Sequence, residues 1–178
     1  MVFFFFVLHL FIPQVHACED LESPEAEFQV AWISPVRKTS RAKAMIEVVP
    51  FAKLRTWVHN NKVDAKQLLQ YTGQLPANSK KKINPADYKI TVFDIRKDSL
   101  CRPIKDKPVG EVVGGVSVCL EKHAKPINWR SRSGYTGCGY VIDTKTGLRS
   151  LDVFRISWID ASTNGFCVLP LQRFLSEA

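Results

Sequence analysis

The chain opens on an apolar run that decides what the rest can be: Met1 to Ile12 reads MVFFFFVLHLFI, interrupted only by His9 and followed by Pro13. A folded domain would have to cover all of that phenylalanine surface, since soluble monomers seldom expose apolar patches beyond a few hundred Å². As a helix rising about 1.5 Å per residue, the run covers roughly 18 Å, short of the roughly 30 Å hydrocarbon slab of a bilayer. Its length is that of the apolar region of a secretory signal, and Val15-His16-Ala17 sets small residues at the two positions a signal peptidase reads. Residues 1–17 are therefore expected to be a signal peptide cleaved after Ala17, and the mature chain to be secreted or periplasmic. No Lys or Arg precedes the run, so the α-amino group alone supplies its positive end.

Cleavage there makes Cys18 the first mature residue and removes His9 and His16, leaving His59 and His123 as the remaining imidazoles. A cysteine at that point is where a bacterial lipoprotein carries its lipid, so a lipid anchor at Cys18 is a second reading; bulky His16 stands against it, where a small residue is wanted. Cys101, Cys119, Cys138 and Cys167 form an even internal set in an exported chain and are expected to make two disulfides, in any of three pairings. Each bridge would stabilise the domain by roughly 2–4 kcal/mol. Their spacings of 18, 19 and 29 residues contain no C-x-x-C pair and no adjacent histidine, so neither a metal nor a cofactor is expected.

The 178 residues suit one ordinary domain, and 46% apolar with 24% charged excludes wholesale disorder and a polytopic membrane protein. Three parts are read: a signal peptide over 1–17, an acidic N-terminal arm with the first strand over 18–36, and a basic α+β domain over 37–178. Residues 18–27, CEDLESPEAE, hold five acids and no base, so the formal +8 splits into −5 on the arm and +13 on everything after it. Such an arm is either a mobile terminus or a segment folded back on the basic domain.

Phe28 to Ile33 and Ala44 to Val49 read as strands ending at prolines, and Phe51, Leu54, Trp57 and Val58 fall at helical spacing. Asp64 with Gln67 three residues on signals a capped second helix, closed by Gly73. From Tyr88 the pattern turns to period two: Tyr88 to Ile95, Glu111 to Leu120, Cys138 to Asp143, Leu148 to Ile159 and Phe166 to Leu171 read as strands. Gly114-Gly115 is read as a bulge rather than a tight turn. DTKTG at Asp143 and DASTNG at Asp160 are short connections, so the last three strands are predicted to form an antiparallel meander. In the longest strand Phe154, Ile156 and Trp158 share a core face while Arg155 and Ser157 meet water. The fold class expected is α+β: a mostly antiparallel sheet with two short helices packed on one face.

Chemistry is sparser. A cysteine nucleophile needs a neighbouring base to make thiolate. His123 with Tyr135-Thr136-Gly137-Cys138 resembles the His and Ser-x-Gly-Cys arrangement of L,D-transpeptidases, over fewer than about twenty residues. That resemblance implies an extracytoplasmic cysteine enzyme with Cys138 as nucleophile and His123 as base. No glycine follows His123, no Arg or Asn follows Cys138 at the family's position, and Tyr135 stands where the family has Ser or Thr. No phosphate loop, H-E-x-x-H or G-x-S-x-G occurs. Asp94, Asp98, Glu111, Glu121, Asp143, Asp152 and Asp160 read as solvated strand-end carboxylates. Arg37, Lys38, Arg41, Lys43, Lys80, Lys81, Lys82, Arg130 and Arg132 cluster in predicted loops, with Trp129 and Tyr135 near the last pair, a mixture that can grip an anionic polymer. The leading expectation is thus a non-enzymatic, exported, disulfide-stabilised binding module presenting a cationic surface to an envelope polymer, an anionic lipid headgroup or an acidic protein. Genomic nucleic acid is not an expected partner, nor is a transmembrane span expected in the mature chain.

Overall fold

The computed structural model describes residues 24–25, 27–37, 44–72, 74–105, 107–119, 137–143 and 146–178. The signal-peptide and lipid-anchor readings, which rest on residues 1–17 and Cys18, lie outside them. β1 (Glu27–Pro35), β2 (Met45–Pro50), α1 (Phe51–Asn61), α2 (Ala65–Tyr71) and β3 (Tyr88–Arg96) follow the predicted order closely. Their ends are set by local chemistry. Asp64 accepts from the Gln67 N–H at 2.7 Å while the Gln67 side chain accepts from the Asp64 N–H at 2.9 Å, so two otherwise orphaned donors at the start of α2 are satisfied reciprocally.

Beyond β3 come β4 (Cys101–Arg102), β5 (Val112–Val113), β6 (Val116–Val118), β7 (Tyr140–Ile142), β8 (Arg149–Asp152), β9 (Phe154–Ser157), α3 (Trp158–Thr163), β10 (Phe166–Pro170) and α4 (Leu171–Glu177). Among the described residues the main sheet has eight strands, ordered β10-β3-β1-β2-β9-β4-β6-β5, and β7 pairs with β8 in a separate ribbon. Every pairing in the main sheet is antiparallel except β4 with β6. The protein is mixed α+β.

Of the predicted C-terminal meander the first hairpin forms, β7 pairing antiparallel with β8 across Asp143–Gly147, while the last strand pairs with β3 instead. The long strand is broken at Val153 into β8 and β9, and β9 pairs with β2 rather than with its sequence neighbours. Three strands then separate β9 from β10 in the sheet. At about 4.8 Å per strand the chain must cross roughly 19 Å, too far for a tight hairpin. α3 makes that crossing, nucleated by Ser157, whose Oγ accepts from the Asp160 N–H at 3.1 Å. Trp158 to Thr163 is therefore helix, not strand end and loop. Gly114-Gly115 is likewise a turn and not a bulge: both φ values are positive, 54° and 69°, as a two-residue hairpin connection between β5 and β6 demands.

Both faces of β1 are buried, with Ala31 and Ile33 in one apolar cluster and Val30 and Trp32 in another. The first cluster takes Leu54 and Val58 of α1, Leu68 and Leu69 of α2, and Leu171 and Phe174 of α4. The second takes Phe93, Phe154, Ile156 and Ala161 of α3. A sheet covered on both sides leaves its centre no solvated face. Arg155, expected to meet water, is accordingly only 2% exposed.

Candidate functional site

Where the ends of β1, β2, β4 and β9 meet the start of α1, a cleft of about 480 Å³ opens. Phe28, Pro50 and Phe154 supply apolar walls; Arg102 and Asp152 line it from below, Lys53 and Gln29 from the side, and Pro24 and Glu25 from the segment leading into β1. The Phe28 and Phe154 rings meet edge to face with centroids 6.1 Å apart. Walls of this kind around a few convergent polar groups are the usual make-up of a ligand pocket.

Asp152 is the centre of the polar part. It is 5% exposed, and three cations reach it: Arg102 Nη1 donates to Oδ1 at 3.1 Å, Lys53 Nζ to Oδ2 at 3.2 Å, and Arg149 Nη2 to Oδ1. Burial alone would push this carboxyl up; the charges of Arg149, Arg102 and Lys53 together outweigh that and hold it below the ordinary aspartate value. For Arg102, fully buried, desolvation pulls the guanidinium below its ordinary value, with Asp152 opposing the shift and Arg149 adding to it. Asp152 thus meets three cations, of which Lys53 is the one nearest water, its side chain 52% exposed.

Each member is placed by its element. Lys53 stands in the first turn of α1, where the positive end of the helix dipole disfavours a cation, so its pairing with Asp152 offsets a local cost. Arg102 sits on a strand of two residues, held by the Cys101–Cys119 disulfide and by the Cys119 N–H donating to the Arg102 carbonyl at 3.0 Å. Its guanidinium carbon lies 4.7 Å from the Phe154 ring centre, a cation–π contact in a desolvated setting. Gly139 closes in from behind: a Cβ there would stand 3.5 Å from the Arg102 Cβ, at a φ of +75° that favours glycine. Arg149 stacks over Tyr140 at 5.2 Å.

Among the described residues, the cations expected from sequence fall elsewhere. Arg37 is exposed after β1, and Lys80, Lys81 and Lys82 are exposed between α2 and β3; none of these lines the cleft. Lys38, Arg41, Lys43, His123, Trp129, Arg130, Arg132 and Tyr135 lie outside the described residues. Cys138 is buried and disulfide-bonded, so it has no thiolate to offer as the transpeptidase-like nucleophile. The two-bridge expectation for the four internal cysteines is corrected at Cys167, a free, exposed thiol on β10, an edge strand with no further sulfur opposite it among the described residues. Asp152 is corrected from a solvated carboxylate to a buried one.

Among the described residues no helix is long and apolar enough to cross a membrane, and no group of three or more His, Cys, Asp or Glu is placed to hold a metal. Set against known proteins, the chain matches no protein-family model, no curated protein and no solved structure.

Proposed function

We propose that the chain is an extracytoplasmic binding module and that the cleft above Arg102 and Asp152 receives an acidic group of its partner. The observation that carries this is Lys53, whose half-exposed side chain lines the cleft and sets its ammonium over the buried Arg102–Asp152 pair. In a partly desolvated cleft an incoming carboxylate or phosphate can take a charge-assisted hydrogen bond from Lys53 without dismantling the buried pair beneath it. Phe28, Phe154 and Pro50 would pack whatever apolar portion accompanies the acid. The disulfide beside Arg102 supports an oxidising compartment, as expected of an exported protein. The reading keeps the cationic character seen in the sequence but moves it from surface loops to a cleft. Exposed Arg37 and Lys80 to Lys82 would add long-range steering rather than contact.

The test is a titration with a short glutamate-rich peptide. Lys53→Ala should weaken binding by about tenfold, the value of one charge-assisted hydrogen bond at roughly 1.5 kcal/mol. Binding should also weaken as salt rises. A peptide held equally well by Lys53→Ala and at high salt would overturn the proposal.

A further inference from the structure

The two ends of the main sheet are guarded unequally. At one end β5 has two residues, whereas β10 at the other has five, Phe166-Cys167-Val168-Leu169-Pro170, with no charge among them. Sheet edges are ordinarily kept from pairing with other chains by being short, charged or covered. β10 is none of these: Phe166, Cys167 and Val168 are exposed, and no strand among the described residues lies beyond it. We propose that β10 pairs antiparallel with β10 of a second copy of this chain, about a two-fold axis at Cys167, and that a disulfide between the two Cys167 residues closes the pair.

Backbone direction and register select this arrangement. The Asp94 N–H donates to the Gly165 carbonyl at 3.3 Å, and β10 runs on in step with β3, Phe166 opposite Phe93 and Cys167 opposite Val92. Backbone groups of successive strand residues point to opposite sides. With Gly165 turned toward β3, Cys167 and Leu169 are turned the same way, and the N–H and C=O of Phe166 and Val168 point out from the open edge. A second β10 laid antiparallel about Cys167 sets each Phe166 against the second copy's Val168, an aromatic and β-branched pairing of the favourable kind. Every outward N–H and C=O of those two residues then finds a partner. The two cysteines meet at the non-hydrogen-bonded position between, where Cα atoms stand about 4.5 Å apart, inside the roughly 4.4–6.8 Å that a disulfide spans. A ladder centred one residue on, at Val168, is poorer: Phe166 would oppose Pro170, which has no N–H to give, and each thiol would face a leucine. The strand is thus self-complementary about its free cysteine, which specifies a second copy rather than another protein's strand. A thiol left over in a secreted chain commonly pairs between chains. The bond rests on the extracytoplasmic reading above, whereas the strand pairing does not. In forming it both thiols lose their protons, and two electrons pass to the disulfide of a thiol oxidoreductase of the exporting compartment, which leaves as a dithiol.

Native protein is alkylated at harvest, before it is concentrated, then sized by light scattering and digested without reduction. The expected product is a dimer whose peptide map joins two Cys167 peptides. An alkylated Cys167, or a Cys167 joined to any other thiol, beside an intact Cys101–Cys119 bond overturns the proposed bond alone; loss of the Cys101–Cys119 bond as well overturns the compartment reading with it. The ladder is tested under mild reduction by sedimentation of the wild type, Cys167→Ser and Val168→Lys. Cys167→Ser should dimerise like the reduced wild type. Val168→Lys sets a charge against Phe166 twice in a symmetric dimer and should weaken association by about tenfold, while its own side chain leaves the backbone ladder to β3 in place. A reduced wild type that stays monomeric at the highest attainable concentration, or a dimer that folded Val168→Lys leaves unchanged, overturns the strand pairing. Hydrogen exchange on the wild type decides the same point without a variant: the Phe166 and Val168 amides should gain protection as the dimer fills, and equal exchange in monomer and dimer overturns the ladder.

Discussion

Asp152 is a carboxylate that packing alone would not tolerate: moving one ion out of water costs several kcal/mol, and it stays only because Arg102, Arg149 and Lys53 return that cost. Removing the negative partner should therefore be worse than removing any one cation. Asp152→Asn leaves a fully buried Arg102 with its main counter-charge gone and should lower stability by roughly 3–5 kcal/mol, read from the urea midpoint. The pH dependence follows from the direction of the shift. The folded carboxyl titrates below the ordinary aspartate value of about 3.9, so in the pH range above that value the unfolded and folded chains are both ionised and the stabilisation is complete. As pH falls below about 3.9 the unfolded chain takes up the proton first, and stability is lost progressively down through the lower folded value. Wild-type melting temperatures should drop over that acid range more steeply than those of Asp152→Asn. Parallel acid profiles would show that the cluster is not the group responsible.

At the scale of elements, α3 is the piece on which the sheet order turns, and its single side-chain cap is Ser157. Ser157→Ala should cost about 1 kcal/mol by chemical denaturation, because the Asp160 N–H loses its acceptor at the start of a six-residue helix with little else to define it. Ser157-x-x-Asp160 had the form of a cap, but Phe154, Ile156 and Trp158 alternated so regularly that the strand pattern was carried two residues too far. Where a local signal stood alone it sufficed: Asp64 and Gln67 marked α2, and Pro35 and Pro50 marked the ends of β1 and β2. Pairing partners were not legible in this way, since nothing local in Phe166 to Pro170 says that the strand will cross to β3. The site was hidden for the same reason. Lys53, Arg102 and Asp152 lie about fifty residues apart in sequence and meet only through the sheet order. One clue was present nonetheless: Asp152 shares the parity of Phe154 and Ile156, the face assigned to the core, and a carboxylate on a core face needs buried cations.

For the whole molecule, the disulfide ties stability to the site. β4 has two residues, one antiparallel partner residue on β9 and a parallel neighbour in β6, which is thin support for a fully buried arginine. The Cys101–Cys119 bond closes a loop of 18 residues, for which chain-entropy arguments give about 3 kcal/mol of stabilisation. C101S/C119S should lose roughly that amount in urea unfolding while remaining folded in native buffer. Its binding to the glutamate-rich peptide should fall further than that of Lys53→Ala, because freeing β4 lets Arg102 move and releases the lower side of the cleft, whereas Lys53→Ala removes one donor from an intact frame. The comparison separates two roles for the bridge. If C101S/C119S loses stability but binds like the wild type, the disulfide only staples the fold; a loss of both shows that an oxidising environment completes the site as well as the chain.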